Sequence, residues 1–208
     1  MHAGALDRFA RNDLPRLLDR LLASPSALQQ VAHRSYIHDN GFVKIVLVPG
    51  RPQRPALRLH IWPAEEPADG NVHNHCWDFT SFVLAGHLVF DEYVVSGDGT
   101  VPALHYAYEP ASDFEYELRL LGPVRLRQTS SGAHPCGAVY EMSPETLHRT
   151  AAGDAYTATL LVQGQRRREH ADVYVTRPSG VPTRFHNAPL GAGDLRRHLE
   201  TLMPAAWP

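Results

Sequence analysis

The sequence predicts a mainly β protein with helices confined to its two ends. Short segments that are apolar or alternate between apolar and polar residues follow one another from position 42 to 175, separated by Gly, Pro, Ser or Asp. Helical spacing of apolar residues occurs only before position 35 and after Gly193. Many short strands without intervening helices are typical of a sandwich or a small barrel. With 43% hydrophobic residues, the chain can bury a core of that kind.

The helical segments come first. Apolar residues between Leu6 and Leu22 recur at helical spacing and are interrupted by Pro15, which predicts one or two short helices. Ser24-Pro25 then provides a cap and a first-turn proline for another helix, and all of these helices are expected outside the core. The expected organisation is a single domain with a helical extension over 1–36, a barrel over 37–178 and a C-terminal helix over 190–204.

The strands are bounded by turn signals, of which Asp39-Asn40-Gly41 is the first. The segment Ala56–Trp62 alternates, with Arg58, His60 and Trp62 on one face. This polar face is either exposed to solvent or the wall of a pocket that binds a carboxylate or polar group, and both interpretations stay open. The predicted strands are 42–48, 56–62, 77–84, 87–95, 104–108, 115–121, 124–128, 138–142, 155–162 and 171–175.

Composition narrows the class of partner. The formal net charge is −2 and neither sign forms a long run, so nothing favours binding to nucleic acid or to a membrane surface. We expect a small-molecule partner. Two cysteines cannot build a disulfide framework, and the sequence shows neither an apolar run of membrane-spanning length nor a leader, so a cytoplasmic protein is expected. Lys44 is the only lysine, which fits a GC-rich genome and says nothing about mechanism.

The candidate site begins at His73-Asn74-His75. Two imidazoles at positions i and i+2 of an extended segment point to the same side, so both can approach one metal ion. His148, in the segment 143–149, is the proposed third ligand. The long separation between His75 and His148 predicts an extra hairpin between about 96 and 135 that covers the mouth of the pocket.

These motifs resemble the cupin superfamily. The first cupin motif is His-x-His, then a glutamate, then a glycine; with Gly86 as the glycine, the glutamate position falls on Phe79. In the second motif Gly137 and His148 match, and Pro144 lies one residue from the expected proline. The resemblance implies a cupin-type double-stranded β-helix, or jelly-roll barrel, with N-terminal helices and a short C-terminal helix.

Without the glutamate, the resemblance implies a metal site of His73, His75 and His148. Three neutral imidazoles suit one divalent ion, Fe(II) first and Ni, Mn or Zn as alternatives, with positions left for O₂ and a chelating, polar or anionic substrate. Three-histidine iron cupins include dioxygenases, and the N-terminal helices and Leu147-His148-Arg149 resemble the cysteine dioxygenase branch. The cysteine and tyrosine that are crosslinked in that branch are replaced here by Thr80-Ser81 and Val162-Gln163, so no crosslink is expected. A metal-dependent isomerase or lyase and a non-catalytic small-ligand-binding cupin are the alternatives.

Further candidates surround the ligands. His60 and Arg58 are expected to contact substrate, and Tyr140 and Tyr156, which flank the second motif, could each donate a hydrogen bond to it or pack in the core. Three roles are open for Asp78: a fourth metal ligand, an acceptor for a histidine N–H, or a surface residue. The second and third roles are preferred over the first, because regular alternation turns Asp78 outward.

Two further expectations concern Cys76 and the oligomeric state. Cys76 directly follows a proposed ligand but has the opposite strand parity, and it is expected to be a buried structural cysteine. A homodimer through sheet edges is the expected oligomer.

Overall fold

The protein was analysed as a computed structural model that describes residues 3–38, 40–50, 55–63, 70–112, 114–152, 156–176 and 184–207. Four α-helices occur at the two ends of the described chain, and a π-helical segment, Phe9–Asp13, joins the first two. The helices are α1 (Ala3–Arg8), α2 (Leu14–Ala23), α3 (Pro25–Ala32) and α4 (Ala192–Ala206). No helix in the described ranges is both long and apolar enough to cross a membrane.

Two antiparallel sheets make up the rest of the fold. In spatial order, the first sheet contains β1 (Tyr36–His38), β2 (Phe42–Val48), β3 (Ala56–Trp62), β11 (Thr157–Arg166), β5 (Trp77–Ala85) and β9 (Val139–Met142). The second sheet contains β13 (Arg184–His186), β8 (Glu115–Pro135), β6 (His87–Val95), β10 (Leu147–Ala152), β4 (Val72–His73), β12 (Ala171–Val175) and β7 (Val101–Pro110). The predicted mainly β, jelly-roll architecture with terminal helices is therefore confirmed.

The first sheet has two different faces because its residues alternate. Ile45, Leu59 and Leu160 on one face are fully buried against the helices, where Leu14 and Leu199 are also fully buried. Burying one such leucine contributes about 1.5–3 kcal/mol. The expectation that the helices lie outside the core is wrong, since the helical segments contribute 11 of the 23 buried residues in the largest apolar cluster. The opposite face of the sheet is left to line the interior between the sheets.

The hairpin of β7 and β8 is the largest departure from the predicted strands. Its second strand runs unbroken from Glu115 to Pro135, whereas Gly122-Pro123 was expected to divide it. A register shift between His105 and Tyr106 and a φ of +139° at Gly122 absorb the irregularity, as at a β-bulge. The pairing with β7 continues as far as Leu126, where β8 changes partner from β7 to β6, so the second sheet closes on itself.

Several other boundaries differ from the sequence predictions. The short strands β1, β4 and β13 were missed, and so was β10, which carries His148. The turn after β5 was predicted and is tight: Gly86 has a φ of +68°, and an added Cβ would lie 2.4 Å from the Tyr156 carbonyl oxygen. Asp39 of the first turn, the loop residues 65–69 and Ala155 at the start of a predicted strand lie outside the described residues.

Candidate metal centre

Three histidine side chains converge in the space between the sheets. One ring nitrogen each of His73, His75 and His148 lies within 4.8 Å of the corresponding atom of the other two. The ring centroids are separated by 5.0 Å for His73 and His75, 4.6 Å for His73 and His148, and 5.1 Å for His75 and His148. The three imidazoles that the sequence selected are therefore brought together in one cluster that can hold a metal ion.

Strand pairing explains how distant residues meet. His73 lies on β4 directly opposite His148 on β10, and on its other side it pairs with Val173 of β12. Although β4 ends at His73, the alternation of side chains continues beyond it. His73 and His75 face the cavity between the sheets, while the side chains of Val72, Asn74 and Cys76 are buried on the opposite side of the segment. Extended backbone places alternate side chains on opposite faces, so one short segment supplies two donors.

The backbone fixes the orientation of two of the rings. His73 Nδ1 lies 2.9 Å from the Asn71 carbonyl oxygen, and His148 Nδ1 lies 3.1 Å from the Thr146 carbonyl oxygen. A carbonyl only accepts, so Nδ1 carries the proton in each ring and Nε2 is left as the electron-pair donor. Hydrogen bonds of this type set the tautomer and orientation of metal-binding histidines.

Burial keeps the cluster neutral. Desolvation lowers the pKa of His148 to about 3, with the charge of His73 as the next cause. The pKa of His75 is held well below its usual range by burial and then by the neighbouring His73 and His148. Burial likewise lowers the pKa of His73, against the opposing effect of its bond to Asn71. Neutral imidazoles are the form that binds metal.

The residue between the two ligands anchors the segment from behind. Asn74 Nδ2 donates to Asp172 Oδ2 at 2.9 Å, and the Asp172 backbone N–H donates to Asn74 Oδ1 at 2.7 Å. Asp172 also binds His105 at 2.8 Å and Arg168 at 2.6 Å. Burial raises the pKa of this carboxyl, but its bonds to His105, Asn74 and Arg168 outweigh burial and lower it overall. A buried charged network therefore ties β4 to β12 beside the ligands.

An apolar wall stands where cupins place the glutamate. Phe79 is buried, and its ring centroid lies 5.2 Å from that of His75. Trp77 also lines the cavity, stacked at 6.0 Å from His75. Asp78 faces the other way and forms an ion pair with Arg167 at 2.7 Å, so nothing supports a bond from Asp78 to a histidine.

Cys76 is buried, as the sequence predicted. Burial raises the pKa of its thiol, against the opposing charges of Arg166 and Arg168. The Cys76 backbone carbonyl oxygen accepts hydrogen bonds from the Arg167 and Arg168 backbone N–H groups.

A cavity of about 330 Å³ adjoins the cluster, and we call it the metal chamber. Arg58 and His60 line it, which decides between the two interpretations of the alternating strand in favour of a pocket wall. His60 Nε2 is buried and has no hydrogen-bond partner among the residues that the structure describes. Tyr108 and Tyr116 from the β7–β8 hairpin form part of the opposite wall, consistent with a hairpin placed at this pocket.

Two predicted contacts lie elsewhere. Tyr156 packs with the cluster between the first sheet and the helices, on the face away from the metal chamber, so its expected contact with substrate is corrected. The alternation of side chains explains why the prediction for Tyr156 failed, because the neighbouring residue, Thr157, is the one that faces inward, opposite Trp62. Tyr140 faces inward but packs against Phe90, with ring centroids 4.9 Å apart, and does not line the metal chamber.

Sequence reasoning missed several polar residues of the chamber, and three of them lie on the first two strands. Lys44 lies directly opposite Tyr36 on one side and His60 on the other. Its Nζ donates to the Tyr36 hydroxyl at 2.9 Å, and His38 stands beside them. The signal was available, because Lys44 alternates with Phe42 and is the only lysine in the sequence.

No family model and no curated protein matches the chain. Solved structures are similar at low identity. Hydroxypropylphosphonic acid epoxidase from S. wedmorenis has 13% identity and a TM-score of 0.40 over 62% of this chain and 54% of its own. Streptomyces albus HEPD with 2-hydroxyethylphosphonate and Fe(II) bound has 12% identity and a TM-score of 0.37 over 61% of this chain and 22% of its own. A cupin superfamily protein from Desulfitobacterium hafniense DCB-2 has 11% identity and a TM-score of 0.35 over 62% of this chain and 81% of its own. The chain thus spans about half of the epoxidase, and these distant likenesses do not place it in a family.

Proposed function

We propose that this chain is a metal-dependent enzyme of cupin type, a non-haem Fe(II) dioxygenase that acts on a small polar or anionic substrate able to chelate the metal. The observation that carries the proposal is the cluster of His73, His75 and His148 beside the metal chamber. Among the cupin dioxygenases, the thiol dioxygenases are the branch whose three-histidine sequence pattern this chain shares.

The residues present fit a divalent metal. Backbone bonds at Nδ1 leave Nε2 of His73 and His148 as donors, burial keeps the rings neutral, and Phe79 replaces the carboxylate. When bound, a divalent iron supplies a Lewis-acidic centre whose open coordination positions accept a chelating substrate and O₂.

The other residues of the metal chamber bind and orient the substrate. Arg58 presents a guanidinium whose Nε is buried without a partner, which suits a carboxylate or another oxyanion. Phe79 and Trp77 exclude water from the side of His75, where aqueous access would compete with substrate. The pocket thereby combines an apolar wall with a few charged donors, the usual composition of a small-molecule site.

A metal-dependent isomerase or lyase is the second candidate, and His60 is the observation that favours it. Its pKa is held well below the usual range, first by burial and then by the charges of Lys44 and Arg58. A neutral imidazole with a buried, unpartnered Nε2 can accept a proton from a substrate in the chamber. In this reaction the substrate gains no oxygen atom.

Oxygen uptake distinguishes the two candidates. Protein loaded anaerobically with Fe(II) is mixed with a panel of thiols, β-diketones and amino acids, and consumption of O₂ is followed with an electrode. We expect at least one substrate to drive uptake in the wild type and in His87→Ala, an exposed control histidine, but not in His148→Ala. Conversion of a substrate without O₂ uptake supports the isomerase or lyase and overturns the dioxygenase.

A further inference from the structure

A second cavity lies against the metal chamber. It measures about 710 Å³, and it shares four lining residues with the metal chamber: Tyr36, Lys44, Arg58 and Arg166. The two spaces therefore adjoin at these side chains. We call the larger one the basic chamber, because Arg34 adds a further cation to its wall and no described lining residue is acidic.

Two of the cations between the chambers have no counter-ion among the described residues. Within the described part of the chain, neither Lys44 nor Arg58 forms an ion pair; Lys44 donates to Tyr36, and Arg58 lies over the Trp77 ring at 5.4 Å. Arg34 donates to the Val46 and Leu47 carbonyl oxygens at 2.7 Å each, which holds its guanidinium in place but leaves its charge uncompensated. Enclosed charges are ordinarily paired.

Electrostatics indicates what is missing. Lys44 and Arg58 stand on adjacent strands and face the same interior, so each raises the cost of burying the other. The pKa of Lys44 is accordingly held well below its usual range by burial and then by the charge of Arg58. An anion between Lys44 and Arg58 would lower the cost of burying them and raise the pKa of Lys44, since it compensates two like charges at once.

We propose that the basic chamber is an oxyanion subsite that binds a phosphate-type group carried on the substrate, while the other end of the substrate reaches the three histidines. Arg34 and Arg166 each donate to two backbone carbonyl oxygens, Arg166 to those of Arg168 and Glu169. The four cationic side chains together still carry more charge and more donors than one carboxylate can match, and a tetrahedral group with more than one charge matches them better. The link to a reacting end rests on the proposed function, whereas anion binding itself does not.

Binding of inorganic phosphate to the metal-free protein tests the subsite without reference to catalysis. Isothermal titration at constant ionic strength compares the wild type with Lys44→Met, Lys44→Arg and Arg166→Gln. We expect phosphate to bind the wild type, with affinity about ten-fold lower in Lys44→Met and Arg166→Gln, the loss of one charge-assisted contact. Lys44→Arg keeps the charge and should stay within about three-fold of the wild type.

Arg167→Gln is the matched control, because Arg167 neighbours Arg166 in sequence but pairs with Asp78 outside the chambers. It should bind phosphate as the wild type does. Because Lys44 is enclosed, thermal melting of each variant is recorded; Arg166 is exposed, so its variant tests the subsite even where Lys44→Met fails to fold. Absence of phosphate binding, equal binding by Arg166→Gln, or acetate binding as tightly as phosphate overturns the proposal. A protein that binds phosphate but takes up no metal retains the subsite and loses the dioxygenase.

Discussion

Replacing Asp172 by alanine should weaken both the fold and the metal centre, because this one carboxylate accepts three side-chain hydrogen bonds. The donors are Asn74 at 2.9 Å, His105 at 2.8 Å and Arg168 at 2.6 Å. A hydrogen bond that involves a charged group contributes about 1.5–3 kcal/mol, and the partly exposed donors recover some of this from water. We therefore expect a loss of about 3 kcal/mol in the free energy of unfolding.

For a chain of this length, that loss corresponds to a fall of about 6–12 °C in the melting temperature of the metal-free protein. Asn74 stands between His73 and His75, so releasing it also allows both ligands to move, and metal affinity should fall by about ten-fold or more. Melting by circular dichroism and titration with Co(II) measure the two effects. Asp172→Asn keeps the shape and should lie between the wild type and Asp172→Ala. An unchanged melting temperature together with unchanged Co(II) affinity would show that this network neither stabilises the fold nor positions the histidines.

The remaining predictions concern acid stability, the turn after β5 and the glutamate position. Five histidines in or beside the metal chamber, His38, His60, His73, His75 and His148, have pKa values that are lowered in the fold, so they favour the neutral form there more than in the unfolded chain. Stability of the metal-free protein is therefore fully present well above pH 6.5 and falls as the pH is lowered through about 6.5, the ordinary pKa of a histidine in the unfolded chain; a urea midpoint that does not change between pH 7.5 and 5.5 contradicts this. Gly86→Ala should cost more than about 1 kcal/mol because Gly86 has a positive φ and the added Cβ would clash with the Tyr156 carbonyl oxygen, whereas Gly132→Ala, with open space around it, should cost less in the same urea titration. Phe79→Glu should raise Co(II) affinity by supplying an anionic ligand beside His75, and equal or weaker affinity would show that position 79 does not reach the metal.

The cluster of three histidines was predictable from the sequence because it depends on local geometry and one motif spacing. Alternation alone turned His73 and His75 to one side, and the second motif supplied His148, which lies opposite His73. The same parity correctly turned Asp78 outward, towards Arg167. These predictions needed no knowledge of how the sheets pack.

What the sequence left undetermined depends on pairing between distant strands. Tyr156 lies close to the second motif in sequence, yet its side chain points towards the helices. Only the register of the following strand, β11, with β3 shows this. Lys44 was dismissed as a trace of genome composition, and its place opposite His60 follows from the pairing of β2 with β3. The sequence predicted that Gly122-Pro123 ends a strand. Instead β8 continues through this point, because it pairs with β7 on both sides of it and gains β6 as a second partner further on.

Metal content in single histidine variants tests the central claim most directly. Protein purified anaerobically is loaded with Fe(II), desalted and analysed for iron per chain by mass spectrometry, with circular dichroism as the check on folding. The three-histidine centre predicts about one iron per chain in the wild type and in His87→Ala, and a loss of most of the iron in His73→Ala, His75→Ala and His148→Ala. Undiminished iron in folded His148→Ala would contradict the three-histidine centre.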